Sequence, residues 1–243
     1  MAGRELPPSS PFAADDGSAD PAVSAALAAF GRGEGSLAGV VDALAGTRVL
    51  VPVLAELEVA GEVVHDGHTH TVDKEASAGI VALQAPDGRR ALPVFSSVAT
   101  MTAWRRDARP VPTDVARAAL SAVQEGWEVV VVDAGGPVTA LLPRPAVWSL
   151  AKQETWTPAV RDGAVEPAVA AAVASALAPV SAVVRVDVEP GRRAELAVVV
   201  TLVDGLDRGR LDGAVAHINA ALAADDVVAE RVDSLELRLR RAS

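Results

Sequence analysis

This sequence predicts an α+β protein, with a mixed and antiparallel sheet and flanking helices followed by a smaller α-β-β-α-β domain. Three observations carry the prediction. Branched apolar runs such as TRVLVPV, RALPVF, EVVVV and LAVVV are bounded by Asp-Gly, Gly-Gly-Pro and Pro-Gly turn signals. Capped, alanine-rich helical segments lie between them without regular βαβ alternation. The polar stretch KQETWTPAVRDGA interrupts the apolar segments near residue 160 and reads as a linker. The expected organisation is a flexible arm at 1–20, an N-terminal α+β domain at 21–158 and the C-terminal domain at 165–243.

Residues 1–20 are rich in Pro, Ser, Asp and Ala, a composition that buries too little apolar surface to offset ordering. Asp20-Pro21 then supplies an N-cap and a first-turn proline for a helix ending at Gly31, and Ser36 caps a second helix closed by Gly46. A buried strand starts at Thr47, with Pro52 placing it at an edge or a bulge. EVVHDGHTHTVDKEAS reads as a solvated excursion. GIVALQAPDGRRALPVF is a hairpin turning at Asp87-Gly88, after which Ser96 or Ser97 caps a short helix carrying Met101 and Trp104. Pro110 and Pro112 end that segment, and Thr113 caps a helix to about Glu125. WEVVVVDAGGPVTALLP is a second hairpin, and PAVWSLA a closing helix. In the tail, helix 166–178, strands 182–189 and 194–203, helix 207–223 and strand 232–240 follow. SLELRLR alternates strictly, so Leu235, Leu237 and Leu239 share one face and Glu236, Arg238 and Arg240 the other.

Composition excludes several functions. Half of the 243 residues are hydrophobic but only 3% are aromatic, so Val, Leu and Ala must fill the core. A net charge of −10 repels phosphate backbones, which argues against nucleic acid as a partner. Without cysteine there are no disulfides, thiolate nucleophiles, Cys-type zinc sites or iron–sulfur clusters. The N-terminus lacks a basic start followed by an apolar stretch, so a cytoplasmic protein is expected. The Ala/Val-rich run Val165–Val184, broken by prolines, reads as a buried helix and not a membrane span.

The candidate sites are few. His65, His68 and His70, with Asp66, have the residue types and the alternating spacing to hold zinc or nickel. The Asp66-Gly67 turn and acidic neighbours favour an ordinary solvated loop, so no metal or cofactor is assigned and the three histidines stay as the alternative. Gly31, Gly33, Gly35 and Gly39 follow a helix instead of a strand, which is wrong for a dinucleotide fingerprint. Neither GxxxxGK[ST] nor GxSxG occurs. Asp15-Asp16 and Asp225-Asp226 read as solvated charge, and His217 as a lone helical histidine. Phe95, Trp104, Arg105 and Arg106 form the best candidate for recognition, because Trp and Arg combine large desolvated area with directed donors. The plainer reading of that segment is a core tryptophan beside two solvated arginines.

The segment GRRALPVFSSVATMTAW resembles the signature of the SseB-like N-terminal domain family, with Ser96 standing where threonine is more usual. AALSAVQEGWEVVVVDAGGPVTALLPRPAVWSLA is similar to the family's helix, strand, glycine-proline turn and closing helix, and the likeness runs from about Ser36 to Leu150. The Ala/Val/Arg-rich composition resembles the two-domain actinobacterial members. The resemblance implies the fold and brings no catalytic residue with it. The sequence therefore points to a non-enzymatic binding or adaptor protein with an unidentified protein partner. The alternatives are an enzyme assembled from His65, His70, His217 and scattered acids, and a structural subunit that self-associates into a homo-oligomer through the C-terminal strand.

Overall fold

The computed structural model describes residues 11–54, 62–65, 68–73, 81–85 and 87–242, with the backbone alone at 62–65 and 68–73. The chain divides into two units, Met1–Thr155 and Trp156–Ser243.

Side chains that answer the orphan N–H groups of the first turn define the helix starts of the first unit. Asp20 accepts from the amides of Ala22 and Val23 to open α1 (Pro21–Gly31), and Ser36 accepts from Gly39 to open α2 (Leu37–Leu44). Ser97 and Thr100 form a reciprocal capping box on α3 (Val98–Trp104). The next cap falls on Asp114, which accepts from Ala116 to start α4 (Val115–Gln124). Thr113, the expected cap, is drawn into the strand that precedes it. Pro143 stands at the start of α5 (Arg144–Lys152).

The strands are β1 (Arg48–Val53), β2 (Glu62–His65), β3 (His68–Asp73), β4 (Ala82–Gln84), β5 (Arg90–Val94), β6 (Arg109–Asp114), β7 (Val129–Val132) and β8 (Ala140–Leu142). One sheet has the order β2-β3-β4-β5-β7-β8, antiparallel except for the parallel β5–β7 pair. The expected hairpins at Asp87-Gly88 and around DAGGP are present as β4–β5 and β7–β8. Within the charged stretch expected as a solvated excursion, residues 62–65 and 68–73 pair as the antiparallel strands β2 and β3 and extend the sheet, and the rest of the stretch lies outside the described residues.

A second correction concerns Pro110 and Pro112, which do not end a segment but lie within β6, paired with β1. Leu50 gives its N–H to the Phe95 carbonyl (2.8 Å) and takes the Phe95 N–H (2.9 Å), so both its backbone groups point away from β6. Its partner Pro112 therefore occupies a non-hydrogen-bonded position of the ladder. The strand period of two puts Pro52 opposite Pro110 at the next such position. Proline's missing donor costs nothing there.

Apolar burial holds β5 and β7 on both faces. All of β7 is buried, and Ala91, Phe95, Val129 and Val131 form one cluster with Met101 of α3. Leu92, Val94, Val130 and Val132 alternate to the other side and are buried as well.

The second unit begins with a small hairpin, β9 (Val160–Arg161) and β10 (Ala164–Val165), joined by Asp162-Gly163 with φ of 52° and 74°. Then come α6 (Pro167–Leu177), β11 (Val183–Pro190), β12 (Leu196–Leu202), α7 (Arg208–Ala224), α8 (Asp226–Arg231) and β13 (Leu235–Arg241). β12 is central, antiparallel to β11 and parallel to β13. Leu196, Val198, Val200 and Leu202 face the core with Val173 and Leu177 of α6 and Ile218 and Leu222 of α7. Among the described residues, no helix is long and apolar enough to cross a membrane; α6 ends at Leu177 and the chain continues as a strand.

The opposite face of this sheet is covered by its own long side chains. Register sets Glu189, Ala197 and Glu236 in one row and Asp187, Val199 and Arg238 in the next. Arg238 reaches Glu189 (2.8 Å) and Glu236 (2.6 Å) across the row, and Ala197 and Val199 beneath are buried. The stems of these residues exclude water as effectively as their charges attract. β13 is an edge strand, on which Leu235 and Leu239 are 37% and 41% exposed.

The backbone N–H of Arg192 holds Glu236 down to about 2 from 4.5, against desolvation and with help from the Arg238 guanidinium and the Arg193 amide. A carboxyl depressed in the folded state adds stability above its unfolded value, and that stability fades as pH falls from about 4.5 toward 2. In thermal melts of the Glu236→Gln protein, the loss of melting temperature across this window is expected to be smaller than in the parent. Equal acid sensitivity of the two proteins would show that Glu236 contributes nothing.

Candidate functional site

The C-terminal ends of the parallel pair β5–β7 are where the chain changes partners. Through Val94, β5 pairs with β7; at Phe95 it turns to β1 through the Leu50 bridge. Diverging strands leave a crevice, the place where open sheets commonly receive ligands. Here the protein's own side chains fill it.

Asp133, the first residue after β7, is 4% exposed and has φ of 52°. Its amide donates to the Val94 carbonyl (2.9 Å). Its Oδ1 accepts from the Ser96 amide (2.8 Å) and the Thr100 hydroxyl (2.9 Å), and its Oδ2 from the Ser96 hydroxyl (2.7 Å). Its carbonyl accepts from the Gly136 amide (3.0 Å) and the Thr139 hydroxyl (2.9 Å), closing the DAGGPVT turn. One side chain thus joins the end of β5, the start of α3 and the β7–β8 loop.

Arg48 forms a second tie behind it. Its Nη1 donates to the Ser96 carbonyl (2.6 Å), its Nε and Nη2 to the two Asp15 oxygens (2.6 and 2.8 Å), and Nη2 also to the Ser18 carbonyl (2.6 Å). The pair is shielded, with side-chain exposures of 14% and 16%. The Arg48 guanidinium holds the Asp15 carboxyl below its ordinary range. Gly17, with φ of 78°, accepts the Val98 amide at the head of α3 (2.9 Å); a β-carbon there would come within 2.6 Å of Val98 Cγ2. Residues 15–18 therefore pack against the rest of the corner.

This base presents the predicted recognition residues unevenly. Phe95 is fully buried and lies beneath Trp104, ring centroids 5.2 Å apart at 34°, so it touches a partner only through that ring. Trp104 is half-buried, and its Cδ1 lies 3.6 Å from where a β-carbon on Gly135 would sit. Gly135, with φ of 67°, keeps the loop flat against the ring. Arg105 is held by Asp107 through Nε (3.1 Å) and Nη2 (2.8 Å), which draws the Asp107 carboxyl below its ordinary range. Arg106 is exposed, and among the described residues it has no ionic partner. The structure thus brings Phe95, Trp104 and the flanking arginines to one corner, with Phe95 as support.

The histidines lie on other elements. His65 and His68 are register partners in the β2–β3 hairpin, with His70 opposite Val63; their side chains, and Asp66-Gly67, lie outside the described residues. His217 is exposed on α7 of the second unit. Among the described residues, no group of three or more His, Cys, Asp or Glu side chains is placed to hold a metal ion. Sequence reasoning passed over Asp133 and Arg48. The only signal was an acid that ends a four-valine strand before Gly-Gly-Pro, a pattern equally suited to an ordinary turn.

A mixed sheet whose parallel strands end in a serine–aspartate lock, overlaid by an aromatic and arginine corner, defines an α+β domain built around a buried acid. Residues 23–149, more than half of the chain, match the family model of the SseB protein N-terminal domain, and the chain belongs to the SseB family. It has no significant match among curated proteins or solved structures.

Proposed function

We propose that the protein is a non-enzymatic, cytoplasmic binding or adaptor protein that engages a protein partner through the Trp104–Arg105–Arg106 corner. The carrying observation is the contrast within this corner. Asp133, Ser96, Thr100 and Arg48 spend their hydrogen-bonding capacity internally, whereas Trp104 keeps part of its ring open and Arg106 keeps its guanidinium unpaired among the described residues. A rigid base under an aromatic and a cation loses little entropy on association. The matching partner surface carries an apolar side chain beside a carboxylate, since Arg pairs with carboxylates in a directed fork.

Capture from native lysate by the intact protein, with Trp104→Ala and Arg106→Glu as companions, tests the reading. A hot-spot role predicts that each change lowers retention of the same partner by about 30-fold or more. Retention that survives both substitutions, or no specifically retained protein, removes this surface from consideration.

A further inference from the structure

The second unit holds a cavity of about 750 Å³ between the end of α6, the two loops that flank its sheet and one face of α7. That volume falls within the range of about 300–1,000 Å³ typical of small-molecule sites. Arg210, Gly213, Ala214, His217 and Ala221 recur at helical spacing along the α7 wall. Pro179, Val180, Val203 and Leu206 supply an apolar opposite side. Side chains on α7 stay small in the middle, and a β-carbon on Gly213 would meet nothing within 4 Å.

The charge pattern selects the ligand. The protein carries a net −10, yet none of the described residues lining this cavity is acidic, and its ionisable groups are Arg210 and His217. Arg210 approaches Asp207 only at 4.0 Å, with both side chains more than 70% exposed, a pair that holds the guanidinium weakly. A guanidinium at one end of an apolar trough presents a fork for a carboxylate, with room beside it for a hydrocarbon chain.

We propose that this groove binds a long-chain aliphatic monocarboxylate, with its carboxylate on Arg210 and its tail laid over Gly213 and Ala214 toward Val180. The proposal does not rest on the Trp104 corner and stands or falls independently of it.

Dodecanoate, kept below its micelle concentration and titrated into the full chain, is the direct probe, with dodecyltrimethylammonium as the charge-reversed control. Calorimetry is expected to show saturable one-to-one binding of dodecanoate alone, and backbone amide NMR to place the largest shifts at Gly213, Ala214 and His217. Arg210→Glu is expected to weaken binding by about tenfold or more. Gly213→Leu fills open space and replaces a helix glycine, so the protein stays folded while binding is lost. No binding of dodecanoate, equal binding of the cationic amphiphile, or unchanged binding in Gly213→Leu would each overturn the proposal. Light scattering that instead shows the groove closed by a second copy of the chain would do the same.

Discussion

Replacing Asp133 with alanine is expected to destabilise the first unit by about 3 kcal/mol, because buried donors left without an acceptor lose their full desolvation cost. The Ser96 amide and hydroxyl lose their acceptor at once, while the Thr100 hydroxyl falls back on the Ser97 carbonyl at 3.0 Å. Alanine is also a poor occupant of the left-handed backbone that Asp133 adopts at φ 52°. Asp133→Asn separates these effects. Its oxygen still accepts from the Ser96 amide, its NH2 can donate to a rotated Ser96 hydroxyl, and asparagine tolerates positive φ. A cost of about 1 kcal/mol is expected for it. Urea unfolding followed by tryptophan fluorescence measures both. An alanine variant within about 0.5 kcal/mol of the parent, the range of inert surface changes, would show that Asp133 is no lock.

Phe95→Ala carries the other large effect, about 3–5 kcal/mol, the usual cost of deleting a buried phenylalanine ring. Phe95 is fully buried and touches both halves of the corner, joining β1 through its backbone and Trp104 through its ring. Its loss therefore also unseats Trp104, the proposed recognition residue. The near-ultraviolet circular dichroism of the folded fraction is expected to lose tryptophan intensity, and partner retention to fall as in Trp104→Ala. Phe95→Leu keeps most of the apolar volume and is expected to cost about 1.5 kcal/mol or less. If Phe95→Ala leaves retention intact while lowering stability, the ring supports the core and not the surface.

Much of the fold was legible because local chemistry and tertiary need agree. Asp20-Pro21 and Ser36 start helices where caps are expected, and Asp87-Gly88 turns the hairpin that delivers β5. The alternation of SLELRLR places Leu237 on the core and Arg238 on the outer face. The pattern fails where a partner distant in sequence decides. Nothing local tells that Leu50 spends its backbone bonds on Phe95, and only that fact makes Pro110 and Pro112 acceptable in a strand. The leading segment illustrates the same limit. Its composition supplies almost no apolar surface, while residues 15–18 are held by polar contacts to Arg48 that composition cannot register. Of the candidate site, Trp104 and the arginines were readable from residue type alone. Asp133 was not, since its role depends on Ser96 and Thr100 reaching it from another strand and helix.

The exchange of partners at Phe95 has a consequence for the time course of folding. β1 waits for β6, which lies beyond β5, and β5 waits for β7, which lies beyond β6. The two pairings are interlaced along the chain, so neither closes as a local hairpin and each encloses part of the other's loop. Loops of this kind must be ordered before their contacts repay the entropy. The β4–β5 hairpin is therefore expected to form early, while the Ser96–Asp133 junction closes late and in one step with β1–β6. Rapid-mixing experiments on the Asp133→Asn protein would then find faster unfolding with little change in the folding rate.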